Sequence, residues 1–337
     1  MNIALAYNLQ RENHQLDLSK QVEIEFDSPK TIKAIKKTIE SLGHQVIMIE
    51  ADLDAFRKLR KNKQDIDLVF NIAEGLCGDA RESQIPLFCE MLEIPYTHSL
   101  PTTHALSLNK HLTKLLVKET GTAVPKSFVI RQRVKQLPQG LNFPLIVKPN
   151  SEGSGKGITN KSVVKSIREL NNYVSTLRQT MAGEIIAEEF IEGREFTVAV
   201  IGHPLRVLPI VEQKFDFLPK NMHQIAGYEL KWIYEDQIAN RSSAYQCPAP
   251  IDHHLEQEIQ ASALNICQLL GVKDVARIDY RYSKDNQLYF LEINTLPGIN
   301  PDETIISYLR IAAQAAGMNY TQIIEEIIES AIGRYKL

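Results

Sequence analysis

The stretch ARIDYRYSKDNQLYFLEINTLPGIN, residues 276–300, reads as two strands rich in β-branched and aromatic residues, joined by a polar turn at 283–286. Side chains two apart on a strand share a face, so Arg277 projects with Asp279, and Glu292 with Asn294. Closing the hairpin brings Asp279, Glu292 and Asn294 to one patch. An all-oxygen set without histidine or cysteine suits a hard ion such as Mg²⁺, which also takes phosphate oxygens and waters. Three such residues also converge by chance. Arg277 beside them reads either as one half of a structural ion pair or as a group that holds a developing negative charge.

At 337 residues the chain is too long for one simple core and predicts two or three packed domains. With 44% hydrophobic and 23% charged residues its composition is that of an ordinary globular protein. A net charge of −3 gives no support for binding nucleic acid or a membrane surface. The opening MNIALAYNLQ lacks the basic and apolar regions of a signal peptide, and no apolar run is long enough to cross a bilayer. Cys77, Cys89, Cys247 and Cys267 are scattered, which predicts free thiols and a cytoplasmic protein.

Upstream, NIALAY (2–7), QVIMI (45–49) and DLVFNI (67–72) are apolar runs of strand length. Between the first two, Ser28 caps and Pro29 opens a helix whose stripe is Ile32, Ile35, Ile39 and Leu42, before Gly43. This alternation predicts an open parallel sheet over about 1–100, with ligands at the carboxyl ends of its strands. Residues 104–120 read as one helix, with Leu106, Leu112, Leu115 and Leu116 apolar and Gly121 as its stop. FPLIVKP (143–149) is a strand running into the loop SEGSGKG, and EIIAEEF, REFTVAVIG and PLRVLPIVE follow as further strands. The polar stretch 213–247 is long enough to predict a functional loop. Asp252 and Gly271 bound a helix, and two more helices close the chain after about 303.

KPNSEGSGKG has the outline of a phosphate-binding Walker loop, but the first glycine is missing and Gly157 stands where Ser or Thr is required. What remains is a small-residue loop of free N–H groups after Lys148, which suits either a solvent-exposed turn or a lid over phosphates. Glu188 and Glu195 bracket Gly193, where acids are usually surface charges. Lys110 lies on a helix face, where lysine is normally solvated.

Taken in order, Lys110, Lys148 with its glycine-rich loop, Glu188, Glu195, Asp279, Glu292 and Asn294 resemble the ATP-grasp superfamily, and within it the D-alanine–D-alanine ligases. The resemblance covers nearly the whole chain, through EMLEIPYTHS, SLNK, FPLIVKPNSEGSGKGI, IAEEFIEGREFTVAVI, ARIDYRY and LEINTLPGI. It implies an α/β and α+β protein: an N-terminal open parallel α/β domain (1–100), a central lobe (101–184) and a C-terminal lobe with the metal site (185–337), the two α+β lobes clamping ATP.

The resemblance further implies that Lys110, Lys148 and Ser154 meet the nucleotide phosphates, Glu188 and Ile191 the adenine, and Glu195 the ribose. Asp279, Glu292 and Asn294 would hold two Mg²⁺ ions, or Mn²⁺ in their place. Arg277 would face the oxyanion and Lys231 the transferred phosphate, which makes 213–247 an active-site flap. The implied reaction is ATP-dependent joining of a carboxylate to an amine through an acyl phosphate. The substrates are small and amino-acid-like, and dimers are common in the resembling family. A nucleotide-binding regulator on the same fold is the alternative of a different class.

The substrate half departs from the family pattern. AYNLQRENHQ (6–15) replaces a glycine-rich tract, leaving Glu25 as the approximate counterpart of its glutamate. Glu74 stands for a histidine and Arg81 for a glycine. After Gly298, Glu303 and Thr304 replace a serine-leucine pair that receives a carboxylate. Glu303 either repels an acceptor carboxylate or points away at a helix start, where an acid is favoured. The departures predict either D-alanyl-D-alanine synthesis or, in preference, another amino-acid-like pair.

Overall fold

The computed structural model describes residues 1–11, 23–235, 238 and 243–337. Its first sheet is parallel, with β1 (Asn2–Tyr7) between β2 (Gln45–Glu50) and β3 (Leu68–Asn71). Helix α1 (Pro29–Ser41) starts where the Ser28 side chain accepts the Thr31 N–H, and it buries Ile32, Ile35 and Ile39. α2 (Ala55–Asn62) and α3 (Gln84–Leu92) cover the other face.

The predicted single helix at 104–120 is two: α4 (Pro101–Leu108) and α5 (Lys110–Val117). Asn109 leaves helical geometry at ψ 94° and caps α5 by accepting the Leu112 N–H. The buried face of α5 is Lys110, Thr113, Lys114 and Val117, whereas Leu112 and Leu115 are each 46% exposed. Leu112 and Leu115 therefore mark the outer face, because the inner face meets charge at Lys110 and Lys114 and reaches a core only toward Leu116 and Val117. Lys110 is buried, not solvated.

A four-stranded antiparallel sheet follows, in the order β4 (Ser127–Val129), β7 (Ile185–Glu189), β5 (Leu145–Pro149) and β6 (Val163–Val164), with α6 (Ile167–Thr180) packed on it. In the larger sheet, β8 (Gly193–Ile201) lies between β10 (Val211–Gln213) and β12 (Val275–Ser283). β11 (Tyr245–Gln246) and β13 (Leu288–Asn294) form its edges, and β9 (Arg206–Val207) pairs with β8. PLRVLPIVE is thus two short strands rather than one, interrupted around Pro209, which has no N–H for a ladder.

α7 (His253–Leu270) is capped by the Asp252 side chain and ends at Gly271, φ 69°, as the sequence predicts. The tail forms α8 (Tyr308–Ala315) and α9 (Tyr320–Tyr335). One core runs from Ile3, Leu5 and Phe70 of the first sheet into Ile323, Ile324, Ile327 and Ile328 of α9. Each such buried side chain contributes about 1.5–3 kcal/mol relative to exposure, so the C-terminus seals the N-terminal sheet. Arg334 reinforces this junction. Its guanidinium is 2.9 Å from buried Asp274 and donates to the carbonyls of Tyr96 and His98. Among the described residues, no helix is long and apolar enough to cross a membrane.

Candidate active site

The β12–β13 ladder sets the site. Asp279 pairs with Glu292 and Arg277 with Asn294, and a bulge follows Asp279. Arg277 lies over its own strand neighbour, with a nitrogen 3.1 Å from Asp279 Oδ2. Thr197, opposite Asp279 on β8, donates its hydroxyl to Oδ1 at 2.9 Å. Asn294 accepts the Leu296 N–H through Oδ1 at 2.8 Å, an Asx turn that ends the strand. The structure therefore brings together the three oxygen residues and the arginine on one face.

Three lysines face this patch. Lys110 Nζ is 3.3 Å from Glu292 Oε2, and it also donates to the Glu152 carbonyl. Burial alone would raise the Glu292 carboxyl. Lys110, Lys148, Lys231 and Arg277 together hold it far below the ordinary carboxylate range. Lys231 makes no ion pair with another described residue and lines the cleft. The donor set fits a hard divalent ion. Among the described residues no cluster of three His, Cys, Asp or Glu is poised to hold a metal, so phosphate oxygens or water must complete any shell around Asp279, Glu292 and Asn294.

From this polar end a cleft extends between the two antiparallel sheets, walled by Ile146, Ile158, Phe190, Ile191, Ile225 and Leu291. Its floor carries Lys148 and Glu188, which the sequence reading paired only through order. Glu188 lies 2.8 Å from Lys148 and 2.8 Å from Lys114, and its side chain is 1% exposed. Burial would raise the Glu188 carboxyl, but Lys114 and Lys148 outweigh it and lower its pKa. Burial pushes the Lys114 ammonium down to about 8, with Glu188 opposing the shift and Lys148 adding to it. Glu195, farther along, pairs with Arg281 at 2.5 Å, while burial moves its carboxyl upward.

The glycine-rich loop closes one side of the cleft. Gly155, at φ 73°, lies so near Gly227 and Tyr228 that an added Cβ would sit 2.9 Å from their backbone. The Trp232 indole donates to the Ser154 carbonyl at 3.3 Å, and the Tyr228 N–H donates to the Ile158 carbonyl at 2.8 Å. The part of 213–247 that is described thus packs on the loop, with a π-helical turn at Leu230–Tyr234. Residues 236, 237 and 239–242 lie outside the described set.

From the N-terminal side, Glu25 meets Arg81 and Lys156, each at 2.8 Å. Arg81 also donates to the Ser151 carbonyl, and Glu152 approaches both cations. Burial would raise Glu25, yet Arg81 and Lys156 hold it at about 2. Glu25 is therefore engaged with protein cations. Glu74 lies beside it, and burial, then Glu82 and Glu25, push its carboxyl well up. Of the tract 6–15 that departs from the pattern, residues 12–15 lie outside the described set.

The acceptor candidates diverge. Gly298 is exposed and its carbonyl accepts the Ser307 hydroxyl. Glu303 and Thr304 are exposed, Glu303 reaching only Gln314 and Thr304 turning back onto Asp302. Glu303 lies in a turn ahead of α8, which begins only at Tyr308, so it does not start a helix. Sequence reasoning missed Tyr308, whose ring lies 5.9 Å from the Arg277 guanidinium and whose hydroxyl donates to Gln213. It also missed Lys114 and Lys156. The signal for Lys114 was its i, i+4 spacing from Lys110, which puts both on one helix face.

Two antiparallel lobes that enclose an apolar cleft, with paired carboxylates facing lysines at one end, define an ATP-grasp enzyme. Residues 116–329 match the family model described as D-ala D-ala ligase C-terminus. The chain belongs to the D-alanine–D-alanine ligase family of ATP-dependent ligases. It is 34% identical over 303 residues to the D-alanine--D-alanine ligase of Aquifex aeolicus, covering 89% of this chain and 94% of that one. Its fold matches the Bacillus anthracis D-alanine--D-alanine ligase solved with ATP, at TM-score 0.73 and 22% identity over 100% of this chain and 99% of that one. It also matches the VanG D-Ala:D-Ser ligase of Enterococcus faecalis, at TM-score 0.70 and 22% identity over 98% and 99%.

Proposed function

We propose that this chain joins two small amino-acid-like substrates with an amide bond at the expense of ATP, the first carboxylate being activated as an acyl phosphate. The observation that carries the reading is the placement of Lys110 against Glu292, with Asp279, Asn294 and Arg277 on the same face. A carboxylate is a poor electrophile. Its oxygen would attack the terminal phosphorus, releasing ADP, and the amine of the second substrate would then attack the carbonyl carbon and expel phosphate. Positioning and charge neutralisation suffice for both steps, which agrees with a site of lysines and carboxylates rather than a nucleophilic triad.

In this assignment Lys110, Lys148, Lys231 and the Ser154 loop contact the phosphates, Glu188 and Ile191 the base, and Glu195 the ribose. Asp279, Glu292 and Asn294 would hold two Mg²⁺ ions, with Mn²⁺ as a substitute, and these ions would neutralise charge on the phosphates. Arg277 would hold the oxyanion of the tetrahedral intermediate. Loop and flap would exclude water from the acyl phosphate. Glu25, Glu74 and Arg81 border the first-substrate side, and Gly298, Glu303 and Thr304 the loop after the metal-bearing strand. We further propose the division 1–100, 101–184 and 185–337, a cytoplasmic location and a homodimer.

The engaged state of Glu25 and the outward course of Glu303 and Thr304 favour a substrate pair other than two D-alanines. D-alanyl-D-alanine synthesis is the second reading, favoured by the 34% identity to the Aquifex aeolicus enzyme. ADP release measured across D- and L-amino acids, singly and in pairs, with mass analysis of products, separates them. Turnover with D-alanine alone removes the altered-substrate reading. Absence of ADP release with every pair removes the ligase reading.

A further inference from the structure

Lys114 does not line the cleft, yet it is one of the most deeply buried charges in the molecule, with a side chain 1% exposed. A lysine is seldom fully buried without a paired charge. Its partner is Glu188, whose second oxygen takes Lys148 at the same 2.8 Å. The Lys114 contact is a close charge approach rather than an aligned hydrogen bond, so what it supplies is charge more than direction. The alternation of Lys114, Glu188 and Lys148 spans three elements, α5, β7 and β5.

The arithmetic of this triad has a functional consequence. Lys148 and Glu188 alone would be a neutral pair at the floor of the cleft, and a paired lysine offers little charge to a polyphosphate. With Lys114 added, the triad carries a net positive charge. We propose that Lys114 is a positioning residue for the nucleotide: by sharing the Glu188 carboxylate it leaves Lys148 available to the phosphates, without touching them itself. This rests on the nucleotide reading of the cleft given above and adds to it a residue outside the cleft wall. The short spacing from Lys110, on the same buried face of α5, makes that helix the common source of positive charge on this side of the site.

The test is equilibrium binding of Mg·ATP to the full chain, with thermal melting run in parallel. Lys114→Met keeps the length of the side chain and removes the charge, so Glu188 falls to Lys148 alone. The expected result is a loss of affinity of about tenfold or more, the scale of one charge-assisted contact. Adenosine has no phosphates, so its binding to Lys114→Met is expected to stay within about threefold of the parent. A purely structural role for Lys114 lowers the melting temperature and weakens Mg·ATP and adenosine alike. Parent-like Mg·ATP binding by Lys114→Met, or an equal loss of affinity for adenosine, overturns the proposal. A parent protein that does not bind Mg·ATP overturns the functional reading together with it.

Discussion

Asp279 and Glu292 face each other directly across the β12–β13 ladder, one step before a bulge, and they do so beside Arg277 and Lys110. Two carboxylates in cross-strand register repel unless a cation sits between or against them. Here the neighbouring lysines and arginine hold Glu292 fully ionised. We propose this pair as the seat of a divalent ion.

Glu292→Gln and Asn294→Ala are each expected to lower ADP release by at least about 100-fold, the scale of losing electrostatic stabilisation at a reaction centre. Circular dichroism should show the fold intact in both, since both side chains are partly exposed. Activity within a few-fold of the parent in either variant contradicts the ion-site assignment.

Glu25 links the N-terminal unit to the glycine-rich loop, and its pH dependence has a definite sign. Its folded pKa, about 2, lies below the ordinary value of 4.5, so its stabilising contribution is present above 4.5 and is lost as pH falls toward 2. Glu25→Gln should therefore melt below the parent at neutral pH, where it leaves Arg81 and Lys156 without their shared carboxylate. The two melting curves should converge as pH drops through that window. A constant difference between pH 7 and pH 3 contradicts the engaged state of Glu25.

The chain has a single tryptophan, Trp232, and its indole rests on the Ser154 carbonyl of the glycine-rich loop. Its emission should shift when Mg·ATP is added. Gly155→Ala places a methyl group where φ is 73° and backbone lies 2.9 Å away, so the loop can no longer seat against Gly227. In that variant the emission change should be lost and the loop should be cleaved faster by a protease. An unaltered emission response would show that loop and flap do not close as one.

Arg334→Ala leaves buried Asp274 without its cation and should destabilise the fold by about 3 kcal/mol or more. Urea unfolding checks the value, and Asp274→Asn in the same chain should recover part of the loss. A difference below about 1 kcal/mol would place the junction's stability in the isoleucine core of α9 instead.

The legible part of this molecule was the part governed by short-range rules. Ser28 and Asp252 announced helix starts through their side-chain oxygens, and the period of two put Arg277 with Asp279 before any register was known. Convergence across long sequence separations was less accessible. Residues 25, 81 and 156 meet only after three segments have docked, and no local pattern encodes that. The α5 error has a sharper cause. Leu112 and Leu115 follow a helical period but face solvent, while the inner face carries Lys110 and Lys114, which Glu292 and Glu188 meet from other elements. Hydrophobic periodicity finds cores, not charged clefts.

The central claim is that a substrate carboxylate oxygen attacks the terminal phosphorus of ATP. Once the turnover screen has identified a substrate pair, the first substrate can be supplied with its carboxylate oxygens replaced by a heavy isotope and the released phosphate analysed by mass. The account predicts that one labelled oxygen is carried into inorganic phosphate for each amide bond formed. Amide formation with unlabelled phosphate, or label retained in a stable phosphorylated product, would contradict it.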